Sequence, residues 1–509
     1  MKIKKLIYNR ILIVGVLLLL QIVWAGIFLV HLTSESWWIQ IIFRILSIIA
    51  LLVVMNRSVN PAYKLAWTVL ILVFPMFGGL MYLLLGDKKP ARRMRTKMES
   101  VAKQVEPLLS QEELILSEID LLDKKAARQI GYILNSAKYP VYNQTQTKYY
   151  VSGEDNFPDM LEALRNAKHY IFMEYFIIGE GKMWNEILEI LKEKAQQGLD
   201  VRLLYDDFGC LTLLPYQYEK ELEKYNIKCE VFNPFVPIVS IVMNHRDHRK
   251  ILVVDGYVGF TGGINLADEY INEVDRFGYW KDTGIRLIGE GVWSLTLMFL
   301  SMWNSLRKTD DDFEKFRPNV YAPMAFENDG YVQPYGDSPL DAETVGENVY
   351  LNIISSALEY VYMFTPYLII DNEMMTALCL ASKRGVDVRI MTPNVPDKKM
   401  VFMVTQSYYH QLVEAGVKIY QFEPGFLHAK CFVCDDSIAT VGTINMDYRS
   451  LYLHFECGVF LFKSSSVFKI KQDFLETQEQ CIPMTIDQLD RKLPFRLLQA
   501  VLRLFAPLM

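Results

Sequence analysis

The sequence contains few of the residues that build disulfide frameworks or metal centres. Its 509 residues include seven cysteines and seven histidines, and the cysteines show no framework spacing, which fits a reducing compartment. Cys431 and Cys434 lie in an apolar run without a second cysteine pair, so we interpret them as core residues. His245 closely precedes His248, but no carboxylate-rich cluster follows. We therefore expect no metal site and no other cofactor.

Positive charge is not in excess either. The formal net charge at pH 7 is −6, which argues against a protein that covers a long nucleic-acid duplex and against a tethered nuclease. The basic residues are concentrated beside the hydrophobic N-terminal region, where anionic lipid headgroups would attract them. We therefore expect anionic membrane lipids, and no nucleic acid, as partners.

Three long segments near the N-terminus are nearly free of charge. Residues 11–30 contain none, residues 37–55 contain only Arg44, and residues 65–85 form the third segment. Each has the length of a membrane span, and the first lacks the small-residue cleavage pattern of a signal peptide. The composition agrees, since 51% of all residues are hydrophobic. We therefore expect an uncleaved membrane anchor.

Flanking charge predicts how these segments are oriented. Basic residues precede the first segment and follow the third: Lys2, Lys4, Lys5 and Arg10, then Lys88, Lys89, Arg92, Arg93, Arg95 and Lys97. Both groups are expected in the cytoplasm. Pro75, Gly78 and Gly79 interrupt the third segment, which favours a re-entrant hairpin, with three full crossings as the alternative. The catalytic region is therefore predicted to be cytoplasmic.

One short motif occurs twice in the chain. Its histidine, lysine and aspartate are His248, Lys250 and Asp255 in the first copy, and His428, Lys430 and Asp435 in the second, 180 residues later. The flanking Gly262, Ile264 and Asn265 recur at the same offset as Gly442, Ile444 and Asn445. Because the flanks recur as well, the sequence predicts a duplicated domain rather than two accidental matches.

The first copy carries an insertion. Lys228, Phe232 and Pro234 recur 190 residues later as Lys418, Phe422 and Pro424, whereas the motif itself recurs after 180. The first half therefore has ten extra residues before His248, the mostly apolar residues 235–244. We expect this segment to shape the entrance to the site.

The residue types of the motif suit chemistry at phosphorus. In a strand, His248 and Lys250 would lie on one face, and the apolar residues after them would be covered on both faces by helices. A neutral histidine can attack phosphorus while a neighbouring lysine neutralises the oxygens that gain charge. Two copies related by a pseudo-twofold axis could face each other, so that one histidine attacks and the other protonates the leaving alkoxide.

Four further residues complete the predicted site. Asn265 and Asn445, with nearby backbone N–H groups, could hold phosphate oxygens. Each imidazole also needs an acceptor for its second nitrogen, and the candidates downstream of the two motifs are Asp282 and Glu456.

The duplicated motif and its flanks resemble the phospholipase D superfamily, and within it the bacterial cardiolipin synthases. Besides the two motifs, the resemblance rests on residues 74–79, 82–86, 262–265, 280–283, 365–367 and 442–450. It implies a covalent phosphatidyl-histidine intermediate that needs no metal, with His248 favoured as the nucleophile. It also implies that the lysines and asparagines contact phosphate, and that Asp255 and Asp435 mainly brace the fold.

The order of predicted helices and strands indicates an α/β fold. We expect two similar phospholipase D-like α/β sandwich lobes with the active site between them, preceded by N-terminal transmembrane helices. The predicted regions are a membrane anchor (1–95), a helical connector (96–143), a first lobe (144–306), a link (307–342), a second lobe (343–485) and an amphipathic C-terminal helix (486–509). The cationic stripe of that helix favours contact with the membrane surface, with packing on the second lobe as the alternative.

These observations predict a phosphatidyltransferase of the cell membrane. By the resemblance, it passes a phosphatidyl group from one phosphatidylglycerol to another and releases glycerol. A phospholipase D-type hydrolase, or a transferase that uses a different alcohol, is the alternative within the superfamily. A membrane scaffold with an inactive duplicated domain is the alternative from another class. No oligomeric state is predicted.

Overall fold

Two sheets of similar topology form the centre of the molecule. The computed structural model describes residues 37–57, 59–74, 92–234, 245–310, 312–322, 325–341 and 343–508, with the isolated positions 23, 26, 27, 78, 79, 81, 82 and 86. The predicted insertion, residues 235–244, and almost all of the first hydrophobic segment lie outside the described residues.

The strands divide between two lobes. Those of the first half are β1 (Thr145–Tyr150), β2 (Tyr170–Tyr175), β3 (Asp200–Asp206), β4 (Lys228–Phe232), β5 (Lys250–Val254), β6 (Val258–Gly262), β7 (Tyr279–Lys281) and β8 (Gly284–Gly289). Those of the second half are β9 (Tyr331–Asp337), β10 (Tyr360–Phe364), β11 (Leu368–Ile369), β12 (Asp387–Pro393), β13 (Lys418–Phe422), β14 (Gly425–Leu427), β15 (Cys431–Cys434), β16 (Ile438–Gly442), β17 (Met446–Asp447), β18 (Glu456–Phe462) and β19 (Cys481–Pro483).

Helices precede, cover and follow the sheets. Those before and within the first lobe are α1 (Trp37–Asn56), α2 (Pro61–Val73), α3 (Arg92–Val105), α4 (Glu113–Leu122), α5 (Lys124–Ala137), α6 (Gly153–Asn166), α7 (Lys182–Gln196), α8 (Asp207–Cys210), α9 (Tyr218–Glu223) and α10 (Val292–Leu306). The later ones are α11 (Pro318–Tyr321), α12 (Val345–Ser356), α13 (Asn372–Lys383), α14 (Lys399–Glu414), α15 (Tyr448–Tyr452), α16 (Ser465–Gln478), α17 (Ile486–Leu489) and α18 (Leu493–Phe505).

The two sheets have matching strand orders. The first sheet runs β1-β8-β6-β5-β2-β3-β4, and the second runs β19-β13-β12-β10-β15-β16-β18-β9. Apart from β19, each strand of the second sheet has a counterpart in the first: β5 pairs antiparallel with β2, for example, as β15 does with β10. The duplicated α/β architecture predicted from the sequence is confirmed. β9 falls within the predicted link, yet it pairs with β18 at the edge of the second sheet.

The strands that follow the two motifs are buried on both faces. In β5, Ile251 and Val253 face a core shared by both sheets and α10, whereas Leu252 and Val254 face the helices of the first lobe. β15 repeats this pattern, and its Cys431 and Cys434 are buried. One face of each sheet is thus covered by the outer helices of its lobe, and the other by the shared core, in which α10 packs on the first sheet and α16 on the second. Helices therefore cover both faces, as predicted.

The motif histidines lie just before these strands, not within them as predicted. β5 begins at Lys250 and β15 at Cys431. The backbone N–H of His248 donates to the carbonyl of Phe455 at 2.9 Å, and that of His428 donates to the carbonyl of Lys281 at 2.7 Å. Both acceptors belong to the opposite lobe, so pairing between lobes takes the histidines out of their own sheets.

Two short backbone pairings join the lobes. β14 pairs in parallel with β7, and an isolated parallel bridge links Asp247 with Phe455. The two pairings are pseudo-twofold equivalents, because each joins the residue before a motif histidine to the residue before Asp282 or Glu456. We call these two pairings the seam between the lobes. Because each ends beside a motif histidine, the seam fixes where the two histidines lie.

The hydrophobic N-terminal helices are attached to the second lobe. α1 and α2 share a small core that includes Ala50, Val54 and Trp67. Asn60, the N-cap of α2, donates through Nδ2 to the Asp371 carboxylate at 2.9 Å. Within the described part of the chain, none of the helices combines the length and the apolar character needed to cross a bilayer.

The C-terminal helix α18 packs on the second lobe through Leu502 together with polar side chains. Gln499 Nε2 donates to the carbonyl of Met403 at 3.1 Å, and the Arg503 guanidinium lies 4.1 Å from the centre of the Tyr408 ring. The exposed side chains of α18 include Leu493, Leu497, Leu498 and Val501. Part of the predicted cationic stripe therefore contacts protein, and the outward face is largely apolar, which the sequence interpretation did not anticipate.

Candidate active site

Each motif histidine is oriented by a carboxylate from the opposite lobe. His248 Nδ1 lies 2.9 Å from both carboxylate oxygens of Glu456, and His428 Nδ1 lies 2.6 Å from Asp282 Oδ2. All four side chains are buried. The structure thus brings together every histidine and acceptor predicted from the sequence, but the acceptors are exchanged between the lobes. A hydrogen bond at Nδ1 leaves Nε2 of each ring for chemistry.

The two carboxylates are themselves held in place. Asp282 Oδ1 accepts the backbone N–H of Thr283 at 2.8 Å, and a Cβ at Gly263 would lie only 2.0 Å from that oxygen. Glu456 accepts a hydrogen bond from the Thr443 hydroxyl. Thr443 is the pseudo-twofold counterpart of Gly263, so the small residue faces the short carboxylate and the larger residue faces the longer carboxylate. The sequence interpretation counted the backbone N–H groups after Gly262 and Gly442 as possible phosphate contacts, but it did not predict these contacts with the carboxylates.

The motif lysines lie in the same buried cluster. Lys250 Nζ donates to the carbonyl of His248 at 2.6 Å, and Lys430 Nζ donates to that of His428. Burial lowers the pKa of Lys250 to about 8 and that of Lys430 to about 7, although the carboxylates of Asp282 and Glu456 act in the opposite direction. Because both pKa values lie near neutrality, an added negative charge would raise them and increase the charged fraction of both lysines.

The histidines are held in the neutral form. Burial, followed by the charge of Lys430, lowers the pKa of His428 to about 4 despite its bond to Asp282. The pKa of His248 is lowered well below its usual value by burial and then by Lys250 and Lys430. Burial opposes ionisation of Asp282, but Lys430 and His428 outweigh it and lower its pKa. At neutral pH the site contains neutral imidazoles, an ionised Asp282 and a mostly charged Lys250, whereas Lys430, with a pKa of about 7, is only partly charged.

The two predicted phosphate-contacting asparagines have different surroundings. Asn265 accepts the backbone N–H of Ile177 at 3.0 Å and donates to the Tyr270 hydroxyl at 2.8 Å. Asn445 is also buried, but its Oδ1 has no hydrogen-bond partner among the described residues. Position 450, the counterpart of Tyr270, holds Ser450, whose Oγ likewise lacks a partner there.

The motif aspartates lie at the other end of the motif strands. Asp255 accepts the backbone N–H groups of residues 168–170 at 2.8–2.9 Å, and Asp435 accepts those of residues 358–360 at 2.7–2.9 Å. Both adopt a left-handed backbone conformation with φ of 48°. An extended chain from His248 to Asp255 spans about 20 Å. This position suits a bracing role.

The rings around the two histidines differ. Tyr270, Trp280 and Phe426 lie within 5.8 Å of His428, measured between ring centroids. The His248 ring lies 5.0 Å from Phe176 and 5.7 Å from His454. His454 was not predicted as a site residue. Its position two residues before Glu456, like that of Trp280 before Asp282, is the signal that could have identified it.

Within the described residues, one group of side chains offers three potential metal ligands. Ligand atoms of His248, His454 and Glu456 lie within 4.8 Å of one another. The Glu456 carboxylate already accepts from His248 Nδ1 and from the Thr443 hydroxyl, and Lys250 and Lys430 are electrostatically coupled to the same site. This group therefore orients His248 in a cationic environment, which disfavours a divalent cation.

Two buried histidine–carboxylate pairs exchanged across a pseudo-twofold seam, each beside a lysine, define a two-lobed phospholipase D-like enzyme. A family model described as "Cardiolipin synthase, PLD-like domain" matches residues 160–275 and 350–478, and one described as "Phospholipase_D-nuclease N-terminal" matches residues 45–86. A cardiolipin synthase of Halalkalibacterium halodurans is 34% identical over 508 residues, covering 97% of this chain and 99% of its own. The chain belongs to the cardiolipin synthase family.

Other comparisons agree. Cardiolipin synthase 2 of Bacillus anthracis is 35% identical over 472 residues, covering 90% of this chain and 89% of its own. The crystal structure of a phosphatidylserine synthase from Haemophilus influenzae superposes with a TM-score of 0.56 at 13% identity, covering 76% of this chain and 100% of that one. At this identity, the likeness to the phosphatidylserine synthase structure supports the fold alone.

Proposed function

We propose that the protein is a cardiolipin synthase that transfers a phosphatidyl group between two phosphatidylglycerol molecules and releases glycerol. The observation that carries the proposal is the pair of exchanged contacts, His248 with Glu456 and His428 with Asp282, in a chain of this family. Two oriented imidazoles in one cleft supply the two tasks of a double displacement, attack and proton transfer.

The reaction proceeds in two balanced steps. In the first, Nε2 of one histidine attacks phosphorus, the bond from phosphorus to the glycerol oxygen breaks, and the other imidazolium donates its proton to that oxygen. In the second, a hydroxyl of the second phosphatidylglycerol gives its proton back to that imidazole and attacks phosphorus, and the phosphorus–nitrogen bond breaks. His248 as the attacking residue stays a prediction from the resemblance.

The remaining site residues bind and polarise the phosphate. Lys250, Lys430, Asn265 and Asn445 are the proposed contacts of its non-bridging oxygens. The negative charge of a bound phosphodiester favours protonation of the acid histidine, whose pKa burial has lowered in the free enzyme. Asp255 and Asp435 act on the fold, because their carboxylates are occupied by backbone N–H groups.

We propose that the protein works at the membrane, with the catalytic lobes on the cytoplasmic side. Support comes from the apolar composition of α1, from its exposed side chains such as Trp37 and Ile41, and from the exposed leucines of α18. α2 contacts α18, so these elements lie on the same part of the second lobe. Whether the third hydrophobic segment re-enters or crosses is left as the two alternatives given above.

One experiment tests the activity. The purified full-length protein in detergent is supplied with phosphatidylglycerol alone, and lipid products are identified by mass spectrometry. We expect cardiolipin and glycerol, with no loss when EDTA is present. Phosphatidic acid with glycerol would instead support the hydrolase alternative, and inhibition by EDTA that one divalent ion reverses would contradict the metal-free route.

The two-histidine mechanism also predicts the effect of removing either histidine. His248→Ala and His428→Ala should each abolish cardiolipin formation, because the two histidines perform different tasks on one path. Near-normal turnover by either variant would overturn the mechanism.

A further inference from the structure

The pseudo-twofold axis relates an aromatic wall beside His428 to a polar wall beside His248. Tyr270, Trp280 and Phe426 surround His428, and their counterparts in the other half are Ser450, His454 and Arg246. The backbone contacts of the two walls are similar. Phe426 pairs with Trp280 between β14 and β7, and on the other side the N–H of Phe455 donates to the carbonyl of Arg246 at 2.8 Å. The two walls differ in side-chain chemistry and also in the backbone that carries them, since Asp268–Ile271 form a 3-10 helix whereas Tyr448–Tyr452 form α15.

The polar wall contains hydrogen-bonding atoms that the described residues do not satisfy. They are Arg246 Nη2, Arg449 Nε, Ser450 Oγ and both ring nitrogens of His454. Arg246 is 3% exposed, Ser450 1% and His454 9%. The nearest acidic contact of His454, from Nδ1 to Glu456 Oε1, is 3.7 Å long. Leaving several buried polar groups unpaired costs free energy unless water or a ligand satisfies them.

The wall is cationic. The two guanidinium groups, of Arg246 and Arg449, repel each other. Burial lowers the pKa of His454 to about 3, although Glu456 acts in the opposite direction, so this ring is neutral. Acidic groups balance part of this charge. Arg246 Nη1 lies 3.5 Å from Asp206, which accepts backbone N–H groups, and Asp207 also acts on Arg246. Asp447 acts on Arg449, and Glu456 acts on His454. Two cations and neutral donors in a buried wall complement an anion that accepts several hydrogen bonds.

We propose that Arg246, Arg449, Ser450 and His454 form a second phosphate subsite, which binds the phosphodiester of the acceptor phosphatidylglycerol. The inference rests on the proposed function. Only a glycerol unit separates the attacking hydroxyl from the acceptor's own phosphate, so that phosphate must lie close to the two histidines. The subsite makes an anionic lipid the preferred acceptor over water or a neutral alcohol.

Competition between two acceptors tests the subsite. Wild-type protein and Arg449→Gln receive phosphatidylglycerol as donor together with excess monoacylglycerol, a neutral lipid with the same diol. Both products arise from one phosphatidyl-enzyme, so the ratio of cardiolipin to phosphatidyl-acylglycerol reports acceptor selection alone. We expect Arg449→Gln to lower this ratio about tenfold or more, the scale of one charge-assisted hydrogen bond.

Two further variants complete the design. Ser450→Ala, which removes a single hydroxyl, should lower the ratio about threefold to tenfold and also serves if Arg449→Gln fails to fold. Glu269→Gln, at the counterpart position of Arg449, should leave the ratio unchanged. Equal losses of both products, or an unchanged ratio in Arg449→Gln and Ser450→Ala, would overturn the subsite. Absence of cardiolipin from the wild-type reaction would instead overturn the proposed function.

Discussion

At the scale of single residues, burial determines the chemistry of the site. His248, His428, Lys250 and Lys430 are all nearly inaccessible to water. Burial is the largest cause of each lowered pKa, and neighbouring lysine charge adds to it for the histidines. Imidazoles that would be partly protonated on a surface are thereby kept neutral, as the proposed nucleophilic attack requires, and the carboxylates fix their tautomers.

The exchanged carboxylates predict a specific loss of activity. Glu456→Gln and Asp282→Asn should each lower kcat by at least about 100-fold, because an amide no longer stabilises the imidazolium or fixes its tautomer. Steady-state kinetics of cardiolipin formation measures the effect, with Glu479→Gln on the surface as control. A loss below about threefold in both variants would remove the orienting role.

The lowered lysine pKa values predict a pH dependence. A lysine is charged below its pKa, so the charge that we propose binds phosphate is present at low pH and is lost as the pH rises through about 7 for Lys430 and about 8 for Lys250. kcat/KM, which reports the free enzyme, should therefore fall on the alkaline side of neutrality. Measured between about pH 5 and about pH 9, a profile without an alkaline decline would contradict this assignment.

At the scale of elements, each motif strand connects a reactive end to a structural end. β5 and β15 begin beside the histidines and end at Asp255 and Asp435, which close the turn by accepting backbone N–H groups. The motif spacing therefore places the proposed catalytic residues at one end of the strand and the aspartates that accept backbone N–H groups at the other.

Removal of one bracing aspartate should affect stability. Asp255→Ala loses hydrogen bonds to a carboxylate from three backbone N–H groups and places alanine at a φ of 48°, so the free energy of unfolding should fall by about 3 kcal/mol or more. Chemical denaturation measures it, with exposed Asp120→Ala as control. Loss of kcat with unchanged stability would assign Asp255 to the chemistry instead.

The exposed apolar face of α18 predicts that activity depends on contact with a lipid surface. Leu497→Glu with Leu498→Glu should lower activity on vesicles by about tenfold or more, since an apolar side chain loses about 1.5–3 kcal/mol of burial. Activity on short-chain soluble lipid and thermal stability should not change. Leu114→Glu with Leu121→Glu, leucines of the connector that are still more exposed, is the control. Equal losses on both substrates would show that the face serves the fold.

At the scale of the whole molecule, one chain contains a complete site. Each lobe supplies one histidine, one lysine and the carboxylate that orients the other lobe's histidine, and the shared core holds the lobes together. Neither lobe alone therefore contains an oriented histidine.

This arrangement predicts that copies do not complement each other. A mixture of His248→Ala and His428→Ala proteins should have no more activity than the two variants measured apart. Recovery of a substantial fraction of wild-type cardiolipin formation would mean that the cleft is assembled from two chains.

Sequence by itself determined the duplicated fold, the two motifs, the buried strands after them and the candidate orienting residues Asp282 and Glu456. These features follow from the spacing and periodicity of residues along the chain, which the sequence alone specifies. Only the tertiary structure decided that the carboxylates are exchanged between lobes, that His248 and His428 lie outside their strands, and that α18 turns apolar side chains outward. Each of these depends on which distant segments of the chain come into contact, between the lobes or on the second lobe. The spacing of residues along the sequence does not specify those contacts.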